Sequence, residues 1–238
     1  MQGYVTVSGL SDALEVSEVT IRRDLRMLED RDLLYRTHGG ANPTNHLVYD
    51  RPVQEKAKQH AEEKRRIGQT AAELVEDNDF LIFASGTTVH AVASHLRNRR
   101  NLTVVTSAMN VAMELIPLPE VEIIMLGGVV RHTSTSVVGP YAETIMVAHA
   151  CRKLFLGVDG LDVEHGLTTT NPYEAHLNEV MIKAAQQVIV VTDSSKFGLR
   201  GFSRICGIDK IDKLITDTGA PEAMLRRLDE MGVAVTTV

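Results

Sequence analysis

A chain of 238 residues with a formal net charge of −6 has room for one large domain, or for a small module beside a larger one. The negative balance argues against indiscriminate binding to nucleic acid or membrane, but it leaves room for a local basic face, because a contact feels the charges beside it. An apolar fraction of 44% without tryptophan points to a globular protein with an aliphatic core.

Cys151 and Cys206 stand apart with no CxxC spacing, and no signal-like segment or run of ~18 apolar residues occurs. The expectation is a cytoplasmic protein with reduced thiols and no membrane association.

Residues 1–41 read as short helical pieces. In "VTVSGLSDALEVSEVTIRRDL" a helix over about 8–14 meets a turn at Glu15–Val16, and a second helix opens at Ser17. The Ser17 hydroxyl suits an N-cap. Val19, Leu25 and Leu28 are expected to face the module's core, with Thr20, Arg22, Arg23 and Arg26 facing outward. That is the layout of a recognition helix, whose first residues meet base edges while arginines and hydroxyls meet phosphates. "LLYRTHGGA" would then form a wing, with Arg36 and His38 near the sugar-phosphate backbone. A helical hairpin with a mixed-charge surface is the plainer alternative. Five arginines against seven carboxylates leave residues 1–41 acidic, so DNA affinity would have to rest on placed contacts. The acids of "LEDRD" are expected to face away or to pair with Arg26 and Arg31.

"NPTNHLVYDRP" lacks periodicity and carries two prolines, which suggests a linker over 42–54. From residue 55, "EKAKQHAEEKRRIGQTAAELVE" predicts a helix with Ile67, Ala71, Leu74 and Val75 on its inner stripe and "EEKRR" on a solvated face. Beyond it, short apolar runs at 80–84, 102–106, 121–126, 153–158, 188–192, 213–216 and 233–238 alternate with helix candidates at 88–98, 108–116, 139–149, 172–186 and 220–230. Apolar runs without polar alternation predict strands buried on both faces, as in a mostly parallel α/β sheet.

In such sheets ligands sit beyond the carboxyl ends of strands. Ser85, Gly86, Thr87 and Thr88 offer hydroxyls and open backbone amides there, suited to phosphate, or else form a plain strand-helix turn. Thr106 ends the second run. "GGVVRHTSTSVVG" brings Gly128 and Arg131, the latter a second anionic contact or the partner of a carboxylate. Asp159 and Gly160 lie at a strand end and Glu174 opens a helix, where carboxylates can bond sugar hydroxyls or move protons. Asp162, Glu164 and His165 read as an exposed turn. Lys196, in "VVTDSSKF", suits phosphate or sugar. The scattered histidines suggest no metal site.

"VSEVTIRRDLRMLEDRDLLYRTHGGA" resembles the signature of the DeoR family of sugar-operon repressors, in which Ser-x-x-Thr-Ile-Arg-Arg-Asp-Leu precedes a Gly-Gly wing. Residues 55–238 resemble that family's sensor domain, which is related to ribose-5-phosphate isomerase and binds phosphorylated sugars. The resemblance implies a winged helix-turn-helix over 1–41, apparently lacking its first helix, a linker over 42–54, and a mostly parallel α/β sensor over 55–238. It further implies that Ser17, Thr20, Arg22, Arg23, Arg36 and His38 serve DNA. Ser85, Gly86, Thr87 and Thr88 would cradle the effector's phosphate. Thr106, Gly128, Arg131, Asp159, Gly160, Glu174 and Lys196 would line the rest of its pocket. The expected partners are operator DNA, a phosphorylated sugar and further copies of the chain as a dimer or tetramer. No catalytic residue, cofactor or metal is expected.

Ala84 and Ser107 stand where family members commonly carry aspartate and asparagine. The "LFLGVDGLD…GLTTTN…EAHLN" and "VVTDSSKF" segments look most like the subgroup for N-acetylgalactosamine and related amino sugars. A sugar-phosphate isomerase is the alternative: "DGLD" keeps the two aspartates of the related enzymes at 159 and 162, but that reading leaves "TIRRDL…RTHGGA" without a role.

Overall fold

A computed structural model describes residues 5–29, 33–37, 39–43 and 50–238. The chain divides into two compact units, 1–49 and 50–238.

In the first unit, strand β1 (Val5–Thr6) leads into helix α1 (Val7–Leu14), then α2 (Glu18–Glu29), β2 (Leu34–Thr37) and β3 (Gly40–Pro43). The three strands form an antiparallel sheet in the order β1-β3-β2. Each helix starts on a hydroxyl cap: Thr6 Oγ1 accepts from Gly9 N at 3.0 Å, and Ser17 Oγ accepts from Thr20 N at 3.2 Å. Glu15, in the left-handed conformation at φ 54°, turns the chain between them.

Val7, Ile21, Leu25 and Ala41 form the small core, with Leu10 and Leu34 packed on it. Val19 is not part of it. Its side chain is 74% exposed, whereas Ile21 is 3% exposed. The inward stripe runs through Ile21 and Leu25 at helical spacing, and Val19 lies about 200° around the helix from Ile21. The wing strand β3 runs to Pro43, past the boundary expected at 41.

Among the described residues of the second unit, every predicted apolar run becomes a strand of one parallel sheet. These are β4 (Phe80–Phe83), β5 (Leu102–Thr106), β6 (Val121–Met125), β9 (Cys151–Leu156), β12 (Ala185–Val191), β14 (Lys213–Thr216) and β15 (Ala234–Thr237). Their order is β15-β14-β12-β9-β4-β5-β6.

Alternate residues feed two cores. Leu81, Phe83, Phe155, Ile189 and Val191 pack with helices α4 (Ala61–Glu73), α5 (Thr87–Ala93) and α6 (Met109–Leu115). Ile82, Leu154, Leu156, Val188 and Val190 pack with α7 (Pro140–Val147), α8 (Pro172–Ala184) and α9 (Glu222–Glu230). Burial on both faces is why these strands carry no polar alternation.

Two smaller pieces lie beyond what the apolar pattern shows. A hairpin joins β7 (Val129–Arg131) to β8 (Ser136–Val138), and a second sheet runs β10 (Gly160–Asp162), β11 (Gly166–Thr169), β13 (Ser203–Cys206).

The helix expected from residue 55 is two helices, α3 (Val53–Lys58) and α4, with His60 left-handed at φ 49° between them. Lys64 explains the break. Rather than lying on a solvated face with its neighbours in "EEKRR", it is 6% exposed and reaches back to donate to Lys56 O (2.6 Å) and Gln59 O (2.7 Å). Its ammonium thus satisfies carbonyls left open at the end of α3. The segment expected to be linker up to residue 54 is already part of this unit, since Asp50 and Val53 bond into it.

Candidate effector site and nucleic-acid interface

β12, β9 and β4 are neighbours at the centre of the sheet, and the loops after their carboxyl ends open a polar cleft. β4 delivers Ser85 to Thr88. β9 delivers Gly157, Val158 and Asp159, and β12 delivers Thr192 and Asp193. Asp193 then caps a short 3-10 turn, Ser194–Lys196, that aims Lys196 into the cleft wall. Glu174 arrives from the start of α8. There Asn171 accepts from Tyr173 N (3.0 Å) and Glu174 N (3.1 Å), and Pro172 takes the first helical position, where a missing N–H costs nothing.

Ionic contacts tie these groups to the segment that opens the unit. Arg131 donates to both Glu174 and Asp50, and Ser85 Oγ donates to the other oxygen of Glu174. Asp50 also accepts from Thr133 Oγ1 and, at 3.0 Å, from Thr170 Oγ1. Val53 N donates to Thr133 O at 2.6 Å. Lys56 Nζ donates to Asp159 Oδ1 at 2.7 Å, while Thr169 Oγ1 donates to Asp159 Oδ2 at 2.9 Å. Lys64 Nζ lies 3.9 Å from Asp193 Oδ2.

The titration shifts follow from this wiring. Burial works against the charge of Asp159, but the attraction and hydrogen bond of Lys56 hold its carboxyl well below the usual carboxylate range. Burial likewise opposes the Lys56 ammonium, and Asp159 raises it above the ordinary lysine value. For Glu174 burial prevails over Arg131, and its carboxyl is raised. Burial also pushes the Cys151 and Cys206 thiols up, to about 11 and about 12, which leaves both poor nucleophiles at neutral pH.

Of the expected effector residues, Ser85, Gly86, Thr87, Thr88, Asp159, Glu174 and Lys196 line this one cleft. Arg131 stands outside the lining and holds Glu174. Three others serve the fold. Thr106 is fully buried, donates to Phe83 O at 2.8 Å and accepts from Ala108 N. At Gly128 (φ +147°) a Cβ would meet Val138 O at 2.6 Å, and at Gly160 one would meet Leu199 O at 2.4 Å. Asp162, the second acid of "DGLD", accepts from Glu164 N and His165 N across an exposed turn and pairs with Arg200 at 2.9 Å; it does not line the cleft.

Lys56, Gln59, Lys64, Thr133, Thr169, Thr192 and Asp193 also line the cleft, and Asp50 braces it. The hydroxyl-rich "HTSTS" was the visible hint for Thr133, and nothing local marks Asp50.

On the DNA-binding unit, α2 presents Arg22, Arg23 and Arg26 outward, with Thr20 partly exposed. Arg22 is steadied by Glu18 at 2.7 Å, and Arg23 lies 3.5 Å from Asp24. Ser17 is occupied as the cap and as a partner of Thr20 Oγ1 at 3.0 Å. Arg36 binds Glu29 through both its Nε (2.8 Å) and its backbone N (2.9 Å), so it ties the wing to the end of α2. That also gives an acid of "LEDRD" a partner other than those expected. His38 and Arg31 lie outside the described residues.

A winged helix-turn-helix carried in one chain with an α/β unit, whose strand ends open a charged cleft, defines a ligand-sensing transcription regulator. The chain belongs to the DeoR family: residues 1–46 match the DeoR-like helix-turn-helix domain, and residues 59–218 match the DeoR C terminal sensor domain. Over 240 residues it is 38% identical to a protein of Escherichia coli O157:H7 assigned as the aga operon transcriptional repressor, covering all of this chain and 89% of that one.

It is also 38% identical to the HTH-type transcriptional regulator GlpR of Haloferax volcanii, across 97% of this chain and 90% of that protein. The HTH-type transcriptional repressor GlcR of Bacillus subtilis is 35% identical, across 96% and 88%. Among solved structures, ribose 5-phosphate isomerase A from Methanocaldococcus jannaschii is similar over 58% of this chain and 55% of that one, at 15% identity and a TM-score of 0.43. By its family models and relatives the chain is a DNA-binding transcriptional repressor of the DeoR family. Among the described residues no helix is long and apolar enough to cross a membrane.

Proposed function

We propose that this repressor controls a carbohydrate-catabolism operon and leaves its operator when a phosphorylated sugar enters the cleft. The observation that carries this reading is the company kept at the ends of β4, β9 and β12. Lys56, Lys64 and Lys196 and the Thr87 and Thr88 hydroxyls stand beside the carboxylates Asp159 and Glu174. Ammonium and hydroxyl donors suit phosphate oxygens, and ionised carboxylates accept from sugar hydroxyls.

The cleft's cations and acids are already engaged with one another. An incoming phosphate competes with Asp159 for Lys56, and sugar hydroxyls compete for Asp159 and Glu174. Those same contacts hold residues 50–59, the start of the α/β unit, so occupancy of the cleft is coupled to the segment leading from the DNA-binding unit. A ligand shifts such an equilibrium only by its difference in affinity for the two states, and the pairs it must break supply that difference. The repressor would act as a dimer or tetramer, setting recognition helices roughly 34 Å apart on successive turns of DNA.

A thermal-shift screen of the full chain against triose, pentose, hexose and amino-sugar phosphates tests this. One of them should raise the melting temperature while its unphosphorylated sugar does not. A panel with no phosphate-dependent shift would count against the reading.

A further inference from the structure

We infer that Val19 reads sequence in the operator, by packing its methyl groups against the 5-methyl of a thymine in the major groove. The inference rests on taking α2 as the recognition helix. Single exposed apolar groups are ordinary on protein surfaces; what singles out Val19 is its place and its neighbours. It is 74% exposed in the first turn of α2, the part of a recognition helix that meets base edges.

The polar side chains around it are engaged with one another. Ser17 Oγ takes the Thr20 amide and meets the Thr20 hydroxyl at 3.0 Å, while Glu18 holds Arg22 at 2.7 Å. Beside the outward arginines Arg22 and Arg23, Val19 adds a branched pair of methyls to this exposed face. Within a helix valine holds one dominant χ1 rotamer, so those methyls are set in position before DNA arrives. The apolar feature that a major groove offers is the thymine methyl, which is absent from the other three bases.

The test uses duplexes selected by the full chain from a random-sequence pool. In the recovered sequence each thymine is replaced in turn by deoxyuridine, which removes the methyl and leaves the hydrogen-bonding edge intact. The wild-type chain should lose about three- to five-fold in affinity at one thymine of each half-site, the size expected for one methyl withdrawn from water. Val19→Ala should bind the unmodified duplex more weakly by a similar factor and be indifferent to the uridine at that position.

Far-UV circular dichroism would verify that the variant, altered at an exposed site, stays folded. A uridine penalty of the same size in Val19→Ala, or no penalty at any thymine, overturns the proposal. Arg22→Ala and Arg23→Ala, measured alongside, separate the two layers. If they weaken binding while no thymine depends on Val19, the proposal fails alone. If they have no effect and no thymine matters, the recognition-helix reading fails with it.

Discussion

Arg131 is a residue whose loss should be felt across the α/β unit, and its cost can be worked from its contacts. The side chain is 10% exposed and bridges Glu174, itself 13% exposed, to Asp50, with Thr133 Oγ1 a further acceptor at 3.2 Å. Arg131→Met keeps the apolar length of the side chain and removes the charge. Breaking a buried ion pair from one side typically costs about 3–5 kcal/mol, because the partner is left charged and unpaired. Here Glu174 keeps the Ser85 hydroxyl, and Asp50 keeps Thr133 and Thr170. The expected cost is therefore at the low end, about 3 kcal/mol at pH 8.

The sign of its pH dependence follows from Glu174. Its carboxyl is already raised by burial, against the pull of Arg131, and without Arg131 it rises further. An acid whose folded pKa lies above its unfolded value loses stability as pH rises through that folded pKa. The variant's deficit should accordingly shrink when the pH is lowered from 8 to 5. Adding Glu174→Gln, which removes the stranded charge, should recover part of the loss. Urea unfolding followed by far-UV circular dichroism suits a chain without tryptophan. A deficit below about 1 kcal/mol at pH 8, or one equally large at pH 5, would refute the reasoning.

Three further outcomes are expected. Lys196→Ala should weaken the response to the effector about tenfold or more, the scale of a charge-assisted hydrogen bond, and Thr87→Val less; an unaltered induction curve would remove both from the site. Arg22→Ala or Arg23→Ala should weaken operator binding and lower the slope of log K against log salt by about 0.9 for each phosphate no longer neutralised, read by titration across salt concentrations.

The Lys56–Asp159 pair should make stability depend on pH at both ends. Its contribution is full between the unfolded values of about 4 and about 10, fades below as Asp159 protonates, and fades above as Lys56 deprotonates. Lys56→Met should flatten the fall in melting temperature between pH 5 and pH 3, and a fall as steep as the wild type's would show that the pair contributes nothing.

The parallel sheet was legible because its strands are buried on both faces. Leu81–Ala84 of "FLIFA" and all of "VIVVT" are buried, so no polar alternation blurs either run, and the loops that follow such strands point at the cleft. Polar residues were harder to place. A threonine at or just beyond a strand end looks the same whether it lines the cleft, like Thr87, or is spent on a backbone carbonyl, like Thr106.

Lys64 sat in a run that reads as a charged helix surface, and the open carbonyls of Lys56 and Gln59, with the Asp193 carboxylate beyond, hold it inward. Asp50 lay in a stretch without periodicity, and its partners Arg131 and Thr170 are 81 and 120 residues away in sequence. Val19 shows the limit of apolarity as a guide to the interior. Helical phase relative to Ile21 and Leu25 decides the matter, and it leaves Val19 exposed in the first turn of α2.

The most direct measurement is release of the chain from a selected duplex, titrated with sugars in matched phosphorylated and free forms. One phosphorylated sugar should lower the chain's affinity for DNA while its free sugar does not, and Lys196→Ala should shift the response to higher concentration. Release by the free sugar at equal potency, or DNA affinity unmoved by any sugar phosphate that the α/β unit binds, would contradict a cleft that senses phosphorylated sugars and governs DNA binding.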